Sequence, residues 1–458
     1  MSSSSRRLRS FKRWMRSQGI DCSDALLLCS SPGEGYSVRA VFPLAQSDVV
    51  ATIPKTACLT ILTSSACRLI QSAALDGWLG LAVALMYERS LGDRSPWAAY
   101  LGLLPQRECL PLVWTPHEVD SLLRGTELAM TIEEDKGLMY EDWKENIVPL
   151  LESASLDPSF FGAQDYLDAR TLIASRSFQI DDYHGFGMVP LADLFNHKTA
   201  AEDVHFTSLS PHSDSDSDSD SETPIDEALE MIMVKDVQAG SEVFNTYGSL
   251  GNAALLHRYG FTEADNPYDI VNIDLELLLQ WSSSLFSRRY SRARLSLWRR
   301  LDYTGCADQN TEYFEISFEG EPEIELLILL YIMLLAEDAY HELDLALSNA
   351  REVNLGPIVM LLSEKSDIES EERKRVSVFL MTKGVGSALL SLADMRESLY
   401  GTSSLEDDIE ALRRCCCVME KKLYHSLMLR ISERKILAKL RTFAIHGAKG
   451  ASIMKKKK

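Results

Sequence analysis

No stretch of this chain stays apolar long enough to cross a bilayer. The longest apolar run, residues 326–336, falls short of the roughly 18 residues a span requires. Glu325 and Glu337-Asp338 flank it, so it reads as a buried helix. No apolar h-region for secretion follows the N-terminus. The nine cysteines are odd in number and irregular in spacing, and none form a C-x-x-C pair. That argues against a disulfide framework and a tetrahedral zinc site, and for reduced thiols. The phosphate-cradling G-x-x-x-x-G-K-[ST], the zinc-binding H-E-x-x-H and the nucleophile elbow G-x-S-x-G are all missing. Cations are too few for general affinity to nucleic acid, since the formal net charge is −20. A negative field instead suits a partner that carries Lys or Arg.

What is present fits a globular protein of two domains: 458 residues, 46% hydrophobic and 25% charged. Residues 11–19 have the spacing of a short amphipathic helix. Residues 36–62 alternate apolar and polar and predict short strands. From 64 to 177 the period becomes helical, with helices expected near 79–87, 143–151 and 166–175. Strands return from 188 to 246. Beyond Pro267 the pattern predicts long helices at 275–301, 326–349, 372–399 and 406–444, with one strand at 313–318. The expected division is a domain over 10–265, with a helical insertion at 64–177, then a helical domain over 266–450 and a basic tail at 451–458.

Within the second β region, residues 213–221 alternate Ser and Asp between His212 and Glu222. Such a tract cannot bury apolar surface and its charges repel, so a disordered loop is expected over 208–226. It also has the make-up of a kinase substrate or of a lure for a basic tail. Residues 1–9 are rich in Ser and Arg and free of acids, as transit peptides are. The helical spacing of Phe11, Trp14 and Met15 continues directly from them, however. Nucleus or cytoplasm is the expected location, with chloroplast import as the alternative.

Read singly, the candidate motifs are modest. Gly33-Glu34-Gly35 is a turn that lacks the third glycine of a dinucleotide fingerprint. Asn196-His197 has the make-up of a turn cap beside a core histidine. Asp193, His197 and His205 could be grouped as metal ligands, but the region reads as strand and turn without an ordered second shell. Tyr247 alone is a strand tyrosine, and Arg176 alone an ion-pair partner.

Together they carry more. Asp193-Leu194-Phe195-Asn196-His197, then Phe244-Asn245-Thr246-Tyr247-Gly248, then Arg258-Tyr259-Gly260-Phe261 resemble, in order and spacing, the two signature segments of SET-domain protein lysine methyltransferases. The surrounding chain resembles the subgroup that includes the Rubisco large-subunit and ribosomal-protein lysine methyltransferases. That resemblance implies an α+β fold: several short β-sheets of SET type with a large helical insertion, followed by a mostly α-helical domain that docks substrate. It also implies S-adenosylmethionine as cofactor and a protein substrate presenting a lysine, handled by a monomer without nucleic acid or membrane.

The resemblance assigns roles as well. Glu34, Gly35 and Tyr36 match a turn that wraps the cofactor, although Ser37 stands where the family has a second glycine. Asn196 and His197 match its cofactor contacts, and Arg176, in Ser175-Arg176-Ser177-Phe178, would meet the cofactor carboxylate. Tyr247 matches the catalytic tyrosine. Tyr259 and Phe261 match the aromatic pair lining the cofactor pocket and lysine channel, and Asp193 and Phe206 fall on the substrate side.

The chemistry needs such residues. Methyl transfer from a sulfonium to an amine is an in-line displacement that requires a neutral amine, an aligned approach and a dry path. Lysine, with an ordinary pKa of about 10.4, is mostly protonated in water, so aromatic walls must desolvate it. The alternative to an enzyme is a catalytically silent SET-fold adaptor that binds a partner through its helical domain.

Overall fold

The computed structural model describes residues 3–31, 33, 35–154, 156–208, 228–300, 313–348, 377–417 and 419–454. The expected acidic loop at 208–226 and the tail beyond 454 therefore lie almost wholly outside the described residues, as does Glu34. The chain forms two compact units. The first comprises Met1–Val119, Met130–Glu263 and Cys416–Lys421; the second comprises Asp120–Ala129, Ala264–Cys415 and Lys422–Lys458.

The first unit holds three small antiparallel sheets. One has the order β1 (Asp21–Cys22), β4 (Val49–Pro54), β9 (Ala228–Met233), β8 (Val204–Ser208). The second pairs β2 (Leu26–Ser31) with β3 (Gly35–Ala40), and the third has the order β5 (Leu59–Thr60), β7 (Gly185–Met188), β6 (Ser177–Asp181). Alternation does what the sequence pattern requires: Leu26, Leu28, Val38 and Ala40 point inward from β2 and β3, and their neighbours face out.

The helices along this stretch of chain are α1 (Ser3–Ser17), α2 (Cys67–Ser72), α3 (Gly77–Leu91), α4 (Ala98–Leu101), α5 (Pro116–Leu123), α6 (Leu128–Asp142), α7 (Val148–Ala154), α8 (Ala163–Arg176) and α9 (Asn252–Tyr259), with the end of α5 and the start of α6 grouped with the second unit. Helix α1 lays Phe11 and Met15 into the core and turns its arginines outward. Helix α3 is apolar on nearly every side and is buried from Gly80 to Met86. Its one buried charge, Glu88, accepts hydrogen bonds from Ser64 Oγ (3.0 Å), Ser65 N (2.7 Å) and Ser95 Oγ (2.7 Å), which offset its desolvation.

The second unit packs α10 (Leu275–Leu285), α11 (Arg288–Arg300), α12 (Ile324–Met333), α13 (Glu337–Ser348), α14 (Lys383–Ser398), α15 (Leu405–Arg414) and α16 (Lys421–Met454) with one hairpin-like pair, β10 (Val271–Asp274) and β11 (Tyr313–Ile316). The strand at 313–316 was expected; the unbroken long helices were not found. The segment 275–301 breaks at Phe286, after three serines whose hydroxyls compete for backbone groups: Ser283 and Ser284 donate to the carbonyls three residues back. The segment 326–349 breaks between Met333 and Glu337. There Arg294 takes the carbonyls of Ile332 (3.2 Å) and Leu335 (3.0 Å), so the helix end is satisfied without continuing. The segment 406–444 is two helices as well, and the first opens on a capping box between Ser404 and Asp407.

One part of the expected helical insertion belongs elsewhere. Residues Asp120–Ala129 cluster with the second unit. The reason is polar: Arg396, 3% exposed on α14, draws in the Gly125 carbonyl (2.6 Å) and the Glu127 carboxylate (2.9 Å).

Candidate active site

The two signature segments lie side by side in the first unit. His197 and Asn245 form a parallel bridge, Asn245 N donates to the Asn196 carbonyl (2.8 Å), and Tyr247 N donates to His197 Nδ1 (2.9 Å). An Nδ1 that accepts leaves the ring proton on Nε2, which sits 3.1 Å from Thr199 Oγ1. Burial lowers the His197 pKa against a smaller opposing pull from Glu263, so the imidazole is neutral. It works as a strut between the segments.

The next segment closes over this pair. Helix α9 ends at Tyr259, and Gly260 turns the chain in the left-handed region at φ 77°. Tyr259 and Phe261 thereby both reach the Tyr247 ring, with centroids 4.5 Å and 6.5 Å away, while His197 stacks against it at 5.1 Å. A methyl at Gly260 would meet Leu110 Cδ2 at 3.2 Å as well as the torsional penalty. Gly260→Ala is therefore expected to destabilise the first unit by about 1–2 kcal/mol, read as a fall of several degrees in melting temperature. An unchanged melting curve would contradict that account.

Beside this aromatic cluster lies a cavity of about 200 Å³, lined by residues 175–178 together with Asp193, Thr246, Tyr247 and Tyr259. The turn from α8 into β6 supplies the first four of these. The Tyr247 hydroxyl donates to the Phe195 carbonyl (3.1 Å). Burial raises its pKa above the ordinary phenol value, with Arg176 pulling the other way, so the phenol stays protonated. Arg176 clamps Glu108 Oε1 through Nε (2.9 Å) and Nη2 (2.7 Å), and its Nη1 donates to the Asp193 carbonyl oxygen (3.1 Å). Burial alone would lower the Arg176 pKa, but Glu108 and Asp193 outweigh it and raise it. Asp193 receives the Tyr100 hydroxyl on Oδ2 (2.9 Å), and burial pushes its pKa up to about 6.

No protein-family model matches the chain. It is 24% identical over 456 residues to N-lysine methyltransferase setd6 of Xenopus laevis, spanning 94% of this chain and 93% of that protein. It is 25% identical over 328 residues to ribosomal lysine N-methyltransferase 3 of Saccharomyces cerevisiae, spanning 53% and 59% respectively. Among solved structures, Rubisco LSMT bound to AdoMet superposes with a TM-score of 0.67 at 20% identity, over 98% of this chain and 93% of that one. The SET domain of LSMT bound to lysine and AdoHcy gives the same figures.

In sequence and in fold the chain is similar to the SET-domain lysine methyltransferases of the LSMT type.

Within this SET-like fold the residues singled out from sequence fall in three places. Arg176, Asp193, Tyr247 and Tyr259 border the cavity. Gly35, Tyr36 and Asn196 form a second group, in which Asn196 Nδ2 donates to Glu242 (2.8 Å) and to the Tyr36 carbonyl (3.3 Å). Gly35 has φ 95° and nothing within 4 Å of where a Cβ would sit, so it is the torsion there that demands glycine. His197 and Phe261 connect the two groups through the Tyr247 ring. Phe206 is the outlier: its ring packs on Phe178 at 4.9 Å and meets the cavity only through it.

Metal chemistry finds no support in these positions. Among the described residues no three His, Cys, Asp or Glu side chains are grouped to hold an ion, and His205 is exposed and paired with Glu202. No disulfide joins any of the described cysteines. Three residues that matter were not found from sequence: Tyr100, Glu108 and Glu242. Each acts on a motif residue 46 to 93 positions away, and none stands in a pattern of its own.

Proposed function

We propose that this chain is a protein-lysine N-methyltransferase that uses S-adenosylmethionine and acts on a lysine of a protein substrate. The observation that carries the reading is the protonated Tyr247 phenol, stacked on Tyr259 in the wall of a cavity that also presents Arg176 and Asp193. The residues fit the cofactor. Gly35 leaves open space beside its backbone, and Asn196 offers a side-chain amide close to Tyr36. Gly35, Tyr36, Asn196, His197 and Tyr259 would hold it, with Glu34 alongside by resemblance. S-adenosylmethionine supplies the activated methyl when bound.

The chain's own residues do the rest. Arg176 has most of its fork on Glu108 and Asp193, so its main work is to brace the wall, with an Nη2 hydrogen left for a further acceptor. The aromatic rings of Tyr247, Tyr259 and Phe261 exclude water and so disfavour the ammonium form of the substrate lysine. The Tyr247 hydroxyl donates its hydrogen bond to the Phe195 carbonyl, which leaves its oxygen lone pairs to orient an amine or polarised methyl hydrogens. A phenol with a raised pKa is a poor base, so it serves by orientation.

A non-histone substrate is the favoured one, supported by the relative named ribosomal lysine N-methyltransferase 3. The protein works as a monomer in the nucleus or cytoplasm, and no described helix is long and apolar enough to cross a membrane. Calorimetry with S-adenosylmethionine tests the reading first, with micromolar binding expected. Mass spectrometry of lysine methylation in cells with and without the protein tests it second. Absence of cofactor binding at high micromolar concentration would leave the adaptor reading in its place.

A further inference from the structure

Twice among the described residues a guanidinium stands between two carboxyls of which one is capped by a tyrosine hydroxyl. In the second unit Arg396 meets Glu127 (2.9 Å) and Glu433 (3.7 Å), and Tyr400 donates to Glu433 Oε2 (2.6 Å). Glu433 Oε1 accepts from Glu127 N (3.1 Å), so both of its oxygens are satisfied. In the first unit the same four parts are Arg176, Glu108, Asp193 and Tyr100. Here the set does not close. Asp193 Oδ2 has Tyr100 and, more distantly, Arg176, whereas Oδ1 is buried without a hydrogen-bond partner among the described residues. A buried carboxylate oxygen without a donor is unfavourable, and a ligand able to donate would relieve it. Asp193 lines the cavity beside Tyr247, where such a ligand would arrive.

Charge points to the kind of donor. Two carboxylates against one guanidinium leave one negative charge in excess, which an ammonium would neutralise. We propose that Tyr100 is a positioning residue for substrate lysine: its hydroxyl fixes Asp193 through Oδ2 and leaves Oδ1 to receive an N–H of the incoming ammonium. The inference rests on the methyltransferase reading. The groups facing Asp193 are Arg176 from α8, Glu108 from the loop after α4, Tyr100 from α4 and Tyr247; Cys58 lies behind Tyr100. Burial raises the Asp193 pKa to about 6, while Arg176 and the Tyr100 hydrogen bond hold it down. Asp193 must be ionised to receive the ammonium, so lysine binding weakens as pH falls through about 6. Losing the Tyr100 hydroxyl removes one restraint and moves that limb to higher pH.

The test uses the full chain loaded with S-adenosylhomocysteine and free L-lysine as probe, titrated by NMR from pH 5 to 9. Tyr100→Phe should weaken L-lysine about tenfold, shift the acid limb upward, and leave S-adenosylhomocysteine affinity within twofold. An unchanged lysine affinity and an unchanged limb in a folded Tyr100→Phe would overturn the proposal, as would wild-type protein that takes up S-adenosylhomocysteine but not L-lysine. If Tyr100→Phe does not fold, Asp193→Asn keeps an acceptor for Tyr100 but removes the charge. The acid limb must then vanish, and a limb that persists in Asp193→Asn sinks the idea. Failure of the wild type to bind S-adenosylhomocysteine at all would instead overturn the methyltransferase reading itself, and the lysine site with it.

Discussion

Tyr247→Phe is expected to lower kcat by about 10²–10³-fold, on the order of 3–4 kcal/mol of barrier, with the cofactor dissociation constant changed less than threefold. The ring keeps its stacking on Tyr259 and His197, so the cavity wall survives; what goes is one oxygen. That oxygen donates to the Phe195 carbonyl and presents its lone pairs to the cavity, and phenylalanine can do neither. Because burial keeps the phenol protonated, the wild-type pH profile should show no limb from Tyr247 below about pH 10. Single-turnover kinetics on any methylatable lysine peptide separates this outcome from a loss of binding. Wild-type turnover by Tyr247→Phe would end the role given to the hydroxyl.

Arg396→Ala is expected to destabilise the second unit by about 3–5 kcal/mol, because it strands two buried carboxyls and frees the carbonyls of Gly125 and Asn272. Chemical denaturation followed by a probe in that unit would register it, and a loss below about 1 kcal/mol would show that the cluster contributes little. The same cluster sets a pH dependence. Burial pushes the Glu433 pKa up to about 8, against a downward pull from Arg396. A carboxyl raised on folding contributes stability below its unfolded value that is lost as pH rises through its folded one. The second unit should therefore lose stability from about pH 5 to pH 8, and Glu433→Gln should flatten that slope.

The parts of the site that sequence made visible are those with chemistry in a short string. Asn196-His197, Tyr247, Tyr259 and Phe261 each sit in a segment whose spacing carries meaning; the structure gathers His197, Tyr259 and Phe261 around the Tyr247 ring and turns the Asn196 side chain to Tyr36 and Glu242. Gly35 and Gly260 were legible too, because a left-handed torsion leaves its mark on residue choice. Tyr100 and Glu108 were not. Tyr100 lies on a four-residue helix and Glu108 in a loop, and their roles exist only once Asp193 and Arg176 arrive from far along the chain. The helix breaks were hidden for a related reason. Apolar periodicity ran on through residues 333–337, and only the distant Arg294, held between the rings of Tyr290 and Tyr340, explains why the helix stops.

The ten residues 120–129 have a practical bearing on anyone who wishes to study the halves separately. They lie inside the sequence of the first unit but are built into the second, where Glu127 finds its counter-ion and Gly125 turns against the backbone of Leu399. Cutting the gene after residue 263 would leave a glycine-bent segment, from the end of α5 to the start of α6, without the groups it is built upon. A soluble catalytic fragment would call for that segment to be excised and the ends rejoined by a short linker, and a lone carboxy-terminal fragment would need the decapeptide given back in trans.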